Sequence, residues 1–388
     1  MSKDESHADD DRKHVEGMFE ELREAAKAYT VDDIRGGNWF VRLLHLSLDA
    51  YAKKVDAEYF RKKYPGMPPD LVVTRQIDLA KRYAMIEGGL SAGAYSTAVA
   101  LTIGAGGGPS PVTLPAAALS FVADLTFTSQ LQLRLAYDIA VLYGVPIDTN
   151  DPEDLVDLLK VAFGVKAGEL ARDAVSRLAP EAVRQGVKGI FKGAALEFVK
   201  ALPVVGKYLL QRNIIKFAIP LVNIPLSAGL NYWWTGAIAK RAKAIFRNRA
   251  VLDEEAMKLV ASLDDHASLL VRTLWFISNA DGKQSEGETL LLRSVGKHLA
   301  EHGQAEDVLK ELESTISLDR ARLEADIKAL PEGIRGHLFH AAVVGAAADH
   351  ELHEKEVESL RDLADTCGVA FDPADVKREI QRLQGGNA

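Results

Sequence analysis

The chain has 388 residues, of which 47% are hydrophobic, enough for two or three domains with well-formed cores. Its formal net charge of -8 is uneven, because residues 251–388 carry 15 Lys plus Arg against 27 Asp plus Glu, whereas residues 1–250 carry 32 against 28. The strongly acidic second part argues against nucleic acid as a partner, and the single cysteine, Cys367, excludes an intrachain disulfide and a cysteine zinc cluster.

The beginning of the chain predicts a polar tail followed by amphipathic helices. Residues 1–10 are polar and lack an apolar core behind a basic start, so we expect no secretory signal and a cytosolic location. Apolar residues at helical spacing predict helices over 12–29 and 39–51. We assign residues 1–69 to this tail and to helices that pack on the body of the protein.

An uncharged run between Glu87 and Asp124 dominates the first half of the chain. The segment 104–111, rich in Gly and Pro, divides it into two apolar arms, 90–103 and 112–127, and predicts a hydrophobic helical hairpin. At 1.5 Å per residue each arm is roughly 21 to 24 Å long, short of the ~30 Å hydrocarbon core. We therefore expect a buried core or a shallow, re-entrant membrane contact rather than two full spans.

The chain after the hairpin predicts one helix after another. The second arm should continue to Tyr143, where Gly144 and Pro146 end the helix, and Pro152 suits the first position of the next. Almost no stretch alternates apolar and polar residues, as strands do. The pattern therefore predicts an all-α fold, with further helices at 155–163, 167–178, 180–191 and 195–202.

A second uncharged tract covers 23 residues, Phe217 to Ala239, and ends in tryptophans followed by basic residues. This order is typical of a helix that leaves an apolar layer beside anionic lipid headgroups. Core tryptophans with a solvated basic face at a helix C-terminus are the alternative. The predicted membrane-binding residues are Trp233, Trp234, Lys240, Arg241, Lys243, Arg247 and Arg249.

Three segments of the first half carry a family resemblance. They are the small-residue opening of the hairpin at 88–93, the helix from Asp124 to Gly144, and the segment 220–249 with Asn231 and Thr235. Over about residues 70–250 this pattern resembles the EcsC family. The resemblance implies an all-helical, membrane-associated bacterial protein and attaches no catalytic mechanism.

The acidic second half contains an internal duplication with an offset of 68 residues. Each copy places an Asp after an apolar helix and two Glu at the start of the next helix, where negative charge complements the helix N-terminus. The second copy has His350 where the first has Gly282. The matching acidic residues are Asp281, Glu286 and Glu288 in the first copy and Asp349, Glu354 and Glu356 in the second.

The duplicated pattern, over about residues 255–385, resembles the TerB domain of tellurite-resistance and related stress proteins. That resemblance implies an acidic helical bundle that binds a divalent metal through the six acidic residues named above. Ca²⁺ takes six or more oxygen ligands, of which one Asp and two Glu per turn could supply part. Helix capping with a solvated acidic face is the alternative.

Sequence signals for catalysis are weak. The segment Gly89-Leu-Ser-Ala-Gly has the spacing of a serine nucleophile motif, but its surroundings predict helix rather than the required strand-to-helix turn. The segment His350-Glu-Leu-His is one residue shorter than the helical zinc motif. We therefore expect no catalytic residues.

The sequence predicts a non-catalytic, membrane-associated or lipid-binding adaptor in bacterial envelope or metal stress. It would attach to the inner face of the cell membrane through anionic lipid or another membrane protein, and its acidic module would sense a cation or dock a protein partner. One alternative is a hydrolase of lipid or peptide, with Ser91 or Ser227 near Asp124. Another is a soluble cytosolic scaffold.

Overall fold

The computed structural model describes residues 3–27, 39–40, 48–104, 116–145, 147–149, 152–163, 224–280, 285–304, 308 and 320–384. Within these ranges all regular secondary structure is helical, which confirms the predicted all-α fold class. The chain forms two compact units. Among the described residues unit 1 ends at Phe246 and unit 2 begins at Arg247.

Unit 1 is built around two long antiparallel helices, α4 (Pro69–Gly104) and α5 (Ala116–Leu142). Helix α1 (Lys3–Ala26) packs against both, and α6 (Pro152–Phe163) packs against α5. Its core side chains include the fully buried Phe40, Phe127 and Leu158. The helices of unit 1 are α1 (Lys3–Ala26), α2 (Asp49–Ala52), α3 (Ala57–Lys63), α4 (Pro69–Gly104), α5 (Ala116–Leu142), α6 (Pro152–Phe163) and the first part of α7 (Ile224–Ser262).

The end of α5 confirms the predicted stop at Gly144. This glycine has φ +75°, a left-handed conformation that costs little without a Cβ. Its N–H donates to Val141 O at 3.1 Å, and Val145 N–H donates to Ala140 O at 2.9 Å. This pair of bonds is the Schellman motif, which satisfies carbonyls that the helix end would otherwise leave open.

The start of α1 differs from the prediction, because the helix begins at Lys3 rather than after a ten-residue tail. An ion pair one turn apart supports helix before residue 12, because Lys13 Nζ lies 3.0 Å from Asp9. The predicted helices at 167–178, 180–191 and 195–202 and the loop of the hairpin lie outside the described residues.

Unit 2 is a bundle centred on α8 (Ala267–Ser278) and α11 (Glu332–Ala347), which pack against each other. Helices α12 (Glu354–Cys367) and α13 (Pro373–Leu383) pack on α11. Its core includes Leu274, Val295, Val344 and Leu360, all fully buried. After the last part of α7, the helices of unit 2 are α8 (Ala267–Ser278), α9 (Glu286–Glu301), α10 (Arg320–Lys328), α11 (Glu332–Ala347), α12 (Glu354–Cys367) and α13 (Pro373–Leu383).

A bidentate ion pair between Arg382 and Glu255 joins the last helix of unit 2 to α7. Arg382 donates from Nη1 to Glu255 Oε1 at 2.9 Å and from Nη2 to Glu255 Oε2 at 2.7 Å. Burial alone would raise the pKa of Glu255, but hydrogen bonds from Arg382 and Lys258 lower it. The planar guanidinium fits a carboxylate in this geometry better than a lysine would.

Candidate functional site

One face of α7 within unit 1 carries exposed aromatic and basic side chains. Trp233 is 64% exposed, and Lys240 and Arg241 are also exposed. These residues lie seven and eight positions after Trp233, so all three occupy one side of the helix. We call Trp233, Lys240 and Arg241 the aromatic-basic face.

Three contacts with α4 set the rotation of α7. Asn231 Nδ2 donates to Glu87 Oε2 at 3.0 Å, and both residues are buried. Lys81 Nζ lies 4.2 Å from the centre of the Tyr232 ring. The third contact, Lys243 Nζ to Asp70 Oδ1 at 2.7 Å, completes an antiparallel pairing of the two helices. Because two helical positions differ by roughly 200°, an inward Asn231 turns Trp233 outward.

The other predicted membrane-binding residues are placed differently from the aromatic-basic face. Trp234 is half-buried, with its ring centre 6.0 Å from that of Trp233. The amine of Lys243 is engaged by Asp70. Arg247 and Arg249 belong to unit 2, where the first is exposed and the second half-buried.

A cavity of about 210 Å³ lies among α1, α2, α3, α4 and α5 of unit 1. Sequence analysis missed it, because five helices each supply only one to five of its residues. Its polar lining includes His14, Tyr51, Lys63, Gln76, Arg134 and Asp138. Its apolar lining consists of Met18, Leu79, Ala80, Phe127, Leu131 and Leu135.

The polar wall of the cavity is built around Asp138. Tyr51 Oη donates to Asp138 Oδ1 at 2.8 Å, and the Arg134 guanidinium lies 4.9 Å from the centre of the Tyr51 ring. Burial raises the pKa of Asp138 to about 7, against the opposing effects of the Tyr51 hydrogen bond and of Lys63 and Arg134. Burial also lowers the pKa of Arg134. The wall thus combines buried charge with a carboxyl that titrates near neutral pH.

The duplicated turns of unit 2 form similar helix starts. In the first copy Ser285 Oγ accepts from Glu288 N–H at 3.1 Å, and Ser285 N–H donates to Glu288 Oε2 at 2.7 Å. In the second copy His353 N–H donates to Glu356 Oε2 at 2.8 Å. Glu288 and Glu356, two of the predicted metal ligands, therefore each use a carboxylate oxygen to cap a helix.

The remaining predicted ligands do not complete a cation site in the described part of unit 2. Glu286 and Glu354 are exposed, Asp349 is half-buried, and Asp281 lies outside the described residues. Across the described ranges, no group of three or more His, Cys, Asp or Glu side chains has an arrangement that could hold a metal ion. The binding of a divalent cation such as Ca²⁺ therefore stays a prediction.

The carboxyl of Glu356 is nevertheless unusual. Its pKa is raised to about 7, mainly by burial and also by the negative charges of Asp349 and Glu288, against the opposing effect of the hydrogen bond from His353. Negative charges from both copies of the turn therefore act on the carboxyl of Glu356.

The turn of the second copy holds His350 at φ +67°, in the left-handed region. The first copy has Gly282 at the matching position, and glycine adopts this conformation without steric cost. Nε2 of His350 lies 3.0 Å from Oδ1 of Asn248 in α7. This hydrogen bond offsets part of the cost of the strained backbone.

The serine motif lies inside the continuous helix α4, in agreement with the helical surroundings expected from the sequence. A nucleophile motif of this type requires a sharp turn after a strand. Asp124 is buried. The side chains of Ser91 and Ser227 are not among those that the structure describes.

Among the helices that the structure describes, none is both long enough and apolar enough to cross a membrane. Comparison with known proteins gives no match to a family model, to a curated protein or to a solved structure. The resemblances to the EcsC family and to the TerB domain therefore stay predictions.

Proposed function

We propose that the protein is a non-catalytic, peripheral membrane adaptor. Unit 1 docks on an anionic lipid surface through the aromatic-basic face, and the acidic unit 2 remains available to a protein partner or a divalent cation. The observation that carries this proposal is the exposure of Trp233, 64%, on the same helix face as Lys240 and Arg241. The location that follows is the inner face of a bacterial membrane, in the envelope or metal stress response.

The chemistry of the aromatic-basic face supports an interfacial contact. A tryptophan side chain is favourable at the level of lipid headgroups, where its ring is apolar and its N–H finds a polar partner. Each basic residue near an anionic membrane surface contributes about 1 kcal/mol. Met85, one turn after Lys81 on α4, is 44% exposed and adds apolar surface on the side of Tyr232.

The charge of the acidic half supports a separate role for unit 2. Residues 251–388 carry 15 basic against 27 acidic residues, so an anionic bilayer repels this part of the chain. A basic protein surface or a divalent cation is its complementary partner. The two units would thus have opposite electrostatic preferences.

Vesicle flotation tests the membrane contact. We expect the full chain to float with phosphatidylcholine vesicles that contain phosphatidylglycerol, and less with phosphatidylcholine alone or at high salt. The variants Trp233→Ser and Lys240→Gln with Arg241→Gln should float less. Matched controls on or beside α3 are Tyr59→Ser, at a tyrosine 36% exposed, and the exposed pair Lys54→Gln with Arg61→Gln.

Two outcomes would contradict the membrane contact. The first is failure of the chain to float with anionic vesicles, both with and without Ca²⁺, which would favour a soluble scaffold. The second is an equal loss of flotation in the control variants, which would point to general charge or hydrophobicity rather than to the aromatic-basic face.

Thermal unfolding with and without Ca²⁺ tests the cation role separately. Binding to the folded state raises the melting temperature, and loss of ligands reduces that rise. We expect a smaller rise in the variant Glu286→Gln with Glu354→Gln than in Glu358→Gln, an exposed control position on α12. Equal rises in both variants would remove these carboxylates from the proposal.

A further inference from the structure

The lining of the unit 1 cavity changes along α5 from apolar to charged side chains. Along α5 the lining residues begin with Phe127 and Leu131 and finish with Arg134 and Asp138. Eleven helical positions span roughly 16 Å at 1.5 Å per residue, so the two ends are well separated. A molecule that fills the cavity therefore meets apolar side chains beside Phe127 and Leu131 and charged side chains beside Arg134 and Asp138.

The polar end favours an anion. Lys63 and Arg134 bring two positive charges, and Asp138, a single carboxyl whose pKa is about 7, balances them only in part. Nε of Arg134 is buried and has no hydrogen-bond partner among the described residues. Leaving a buried donor unsatisfied is costly, and an anionic group beside it removes that cost.

The size of the cavity limits the apolar part of the ligand. Its volume of about 210 Å³ is below the ~300 to 1,000 Å³ typical of pockets for drug-sized ligands. A diacyl lipid is therefore too large, whereas a single short chain fits beside Met18 and Phe127. We propose that this cavity binds a small anionic amphiphile, a carboxylate or phosphate monoester on a short alkyl chain.

This inference does not rest on the proposed membrane role, because the cavity and the aromatic-basic face share no residue. Trp233→Ser should leave binding of a small amphiphile unchanged while it reduces vesicle flotation. The two proposals can therefore fail separately.

Calorimetric titration of the full chain with octanoate is the direct test. We expect octanoate to bind at least about tenfold more tightly than three comparison compounds. Acetate lacks the alkyl chain, octylammonium has the opposite charge, and 1-octanol has no charge. Octyl phosphate should bind in place of octanoate. Absence of octanoate binding, or equal binding of octylammonium, would overturn the proposal.

Variants place the ligand in the cavity. Lys63→Met, at an exposed lysine that lines the cavity, should weaken octanoate binding about tenfold. Arg61→Met, on the same helix but outside the lining, is the matched control and should bind as the natural chain does. Leu79→Trp, at a half-buried position, should fill the cavity and abolish binding. Unchanged affinity in Lys63→Met would overturn the assignment even if Leu79→Trp fails to fold.

Discussion

Tyr51 donates a 2.8 Å hydrogen bond to Asp138, although 87 positions separate the two residues in the chain. The bond links the short helix α2 to α5 and fixes one wall of the unit 1 cavity. Asp138 is 5% exposed, and burial raises the pKa of its carboxyl to about 7. The protonation state of Asp138 therefore changes near neutral pH.

We expect the titration of Asp138 to make the protein less stable as pH rises. Its pKa rises from an ordinary 3.8 to about 7 on folding, so between these values the folded chain binds more protons than the unfolded chain. The free energy of unfolding then falls with pH, at most by roughly 1.4 kcal/mol per pH unit from this group. Asp138→Asn removes the titrating carboxyl and should therefore flatten the pH dependence of the free energy of unfolding, measured in urea. The variant keeps the local structure, because the amide oxygen can still accept from Tyr51.

A matched control for this pH dependence is Asp78→Asn, at an exposed aspartate of α4. It should keep the slope of the natural chain. A slope that survives in Asp138→Asn would show that another group carries it.

Glu356 should respond differently to two substitutions. Burial raises the pKa of its carboxyl to about 7, and Asp349 and Glu288 add repulsion once it is ionised. Glu356→Gln keeps an oxygen that accepts from His353 N–H and removes the charge, so at about pH 8 we expect equal or higher stability. Glu356→Ala removes the cap and should cost about 1 kcal/mol.

Chemical unfolding of both Glu356 variants at about pH 5 and pH 8 checks this expectation. The natural chain and Glu356→Gln should converge at the lower pH, where the glutamate is protonated. A large loss of stability in Glu356→Gln at about pH 8 but not at about pH 5 would mean that the charge itself is required.

Gly287 should not tolerate alanine. A Cβ at this position would lie 2.1 Å from the carbonyl oxygen of Ala348, a backbone atom that cannot rotate away. We expect Gly287→Ala to lower the free energy of unfolding by about 2 kcal/mol or more. Gly336→Ala is the control, because no atom lies within 4 Å of its added Cβ, and it should gain up to about 1 kcal/mol from helix propensity. Equal effects of the two variants in urea unfolding would contradict the close approach.

Asn231 should be important for the stability of unit 1. Its side chain donates to the carboxyl of Glu87 at 3.0 Å, and Glu87 is fully buried. Asn231→Ala should cost about 1.5 to 3 kcal/mol, because the bond involves a carboxyl group away from water. Gly229→Ala, two positions earlier on α7 with open space around its Cβ, should not destabilise. Thermal unfolding of the two variants gives the comparison.

Periodicity and helix-ending residues carried most of the information that the sequence offered about the fold. Gly144 ends α5 as predicted, because a left-handed glycine satisfies the last carbonyls through local bonds. The predicted helix at 155–163 lies in α6, which begins at Pro152. Such signals depend on neighbouring residues, so they are visible without knowledge of the tertiary structure.

Contacts between distant residues could not be predicted in the same way. The apolar pattern predicts that α5 is a helix, but not that Tyr51 of α2 covers Asp138. The cavity was missed for this reason. The role of Glu288 was left open between capping and metal binding, since a carboxylate in the first turn suits both, and its hydrogen bond with Ser285 N–H shows the capping role.

At the contact between Gly287 and Ala348 the two duplicated segments pack differently. In the first segment Gly287 has no side chain, and the carbonyl oxygen of Ala348 in the second segment occupies the space that a Cβ would take. The second segment has Lys355 at the position that matches Gly287, 68 residues later. With glycine at one of these positions and lysine at the other, the two copies are not interchangeable at this contact, because a side chain at position 287 would collide with the carbonyl of Ala348.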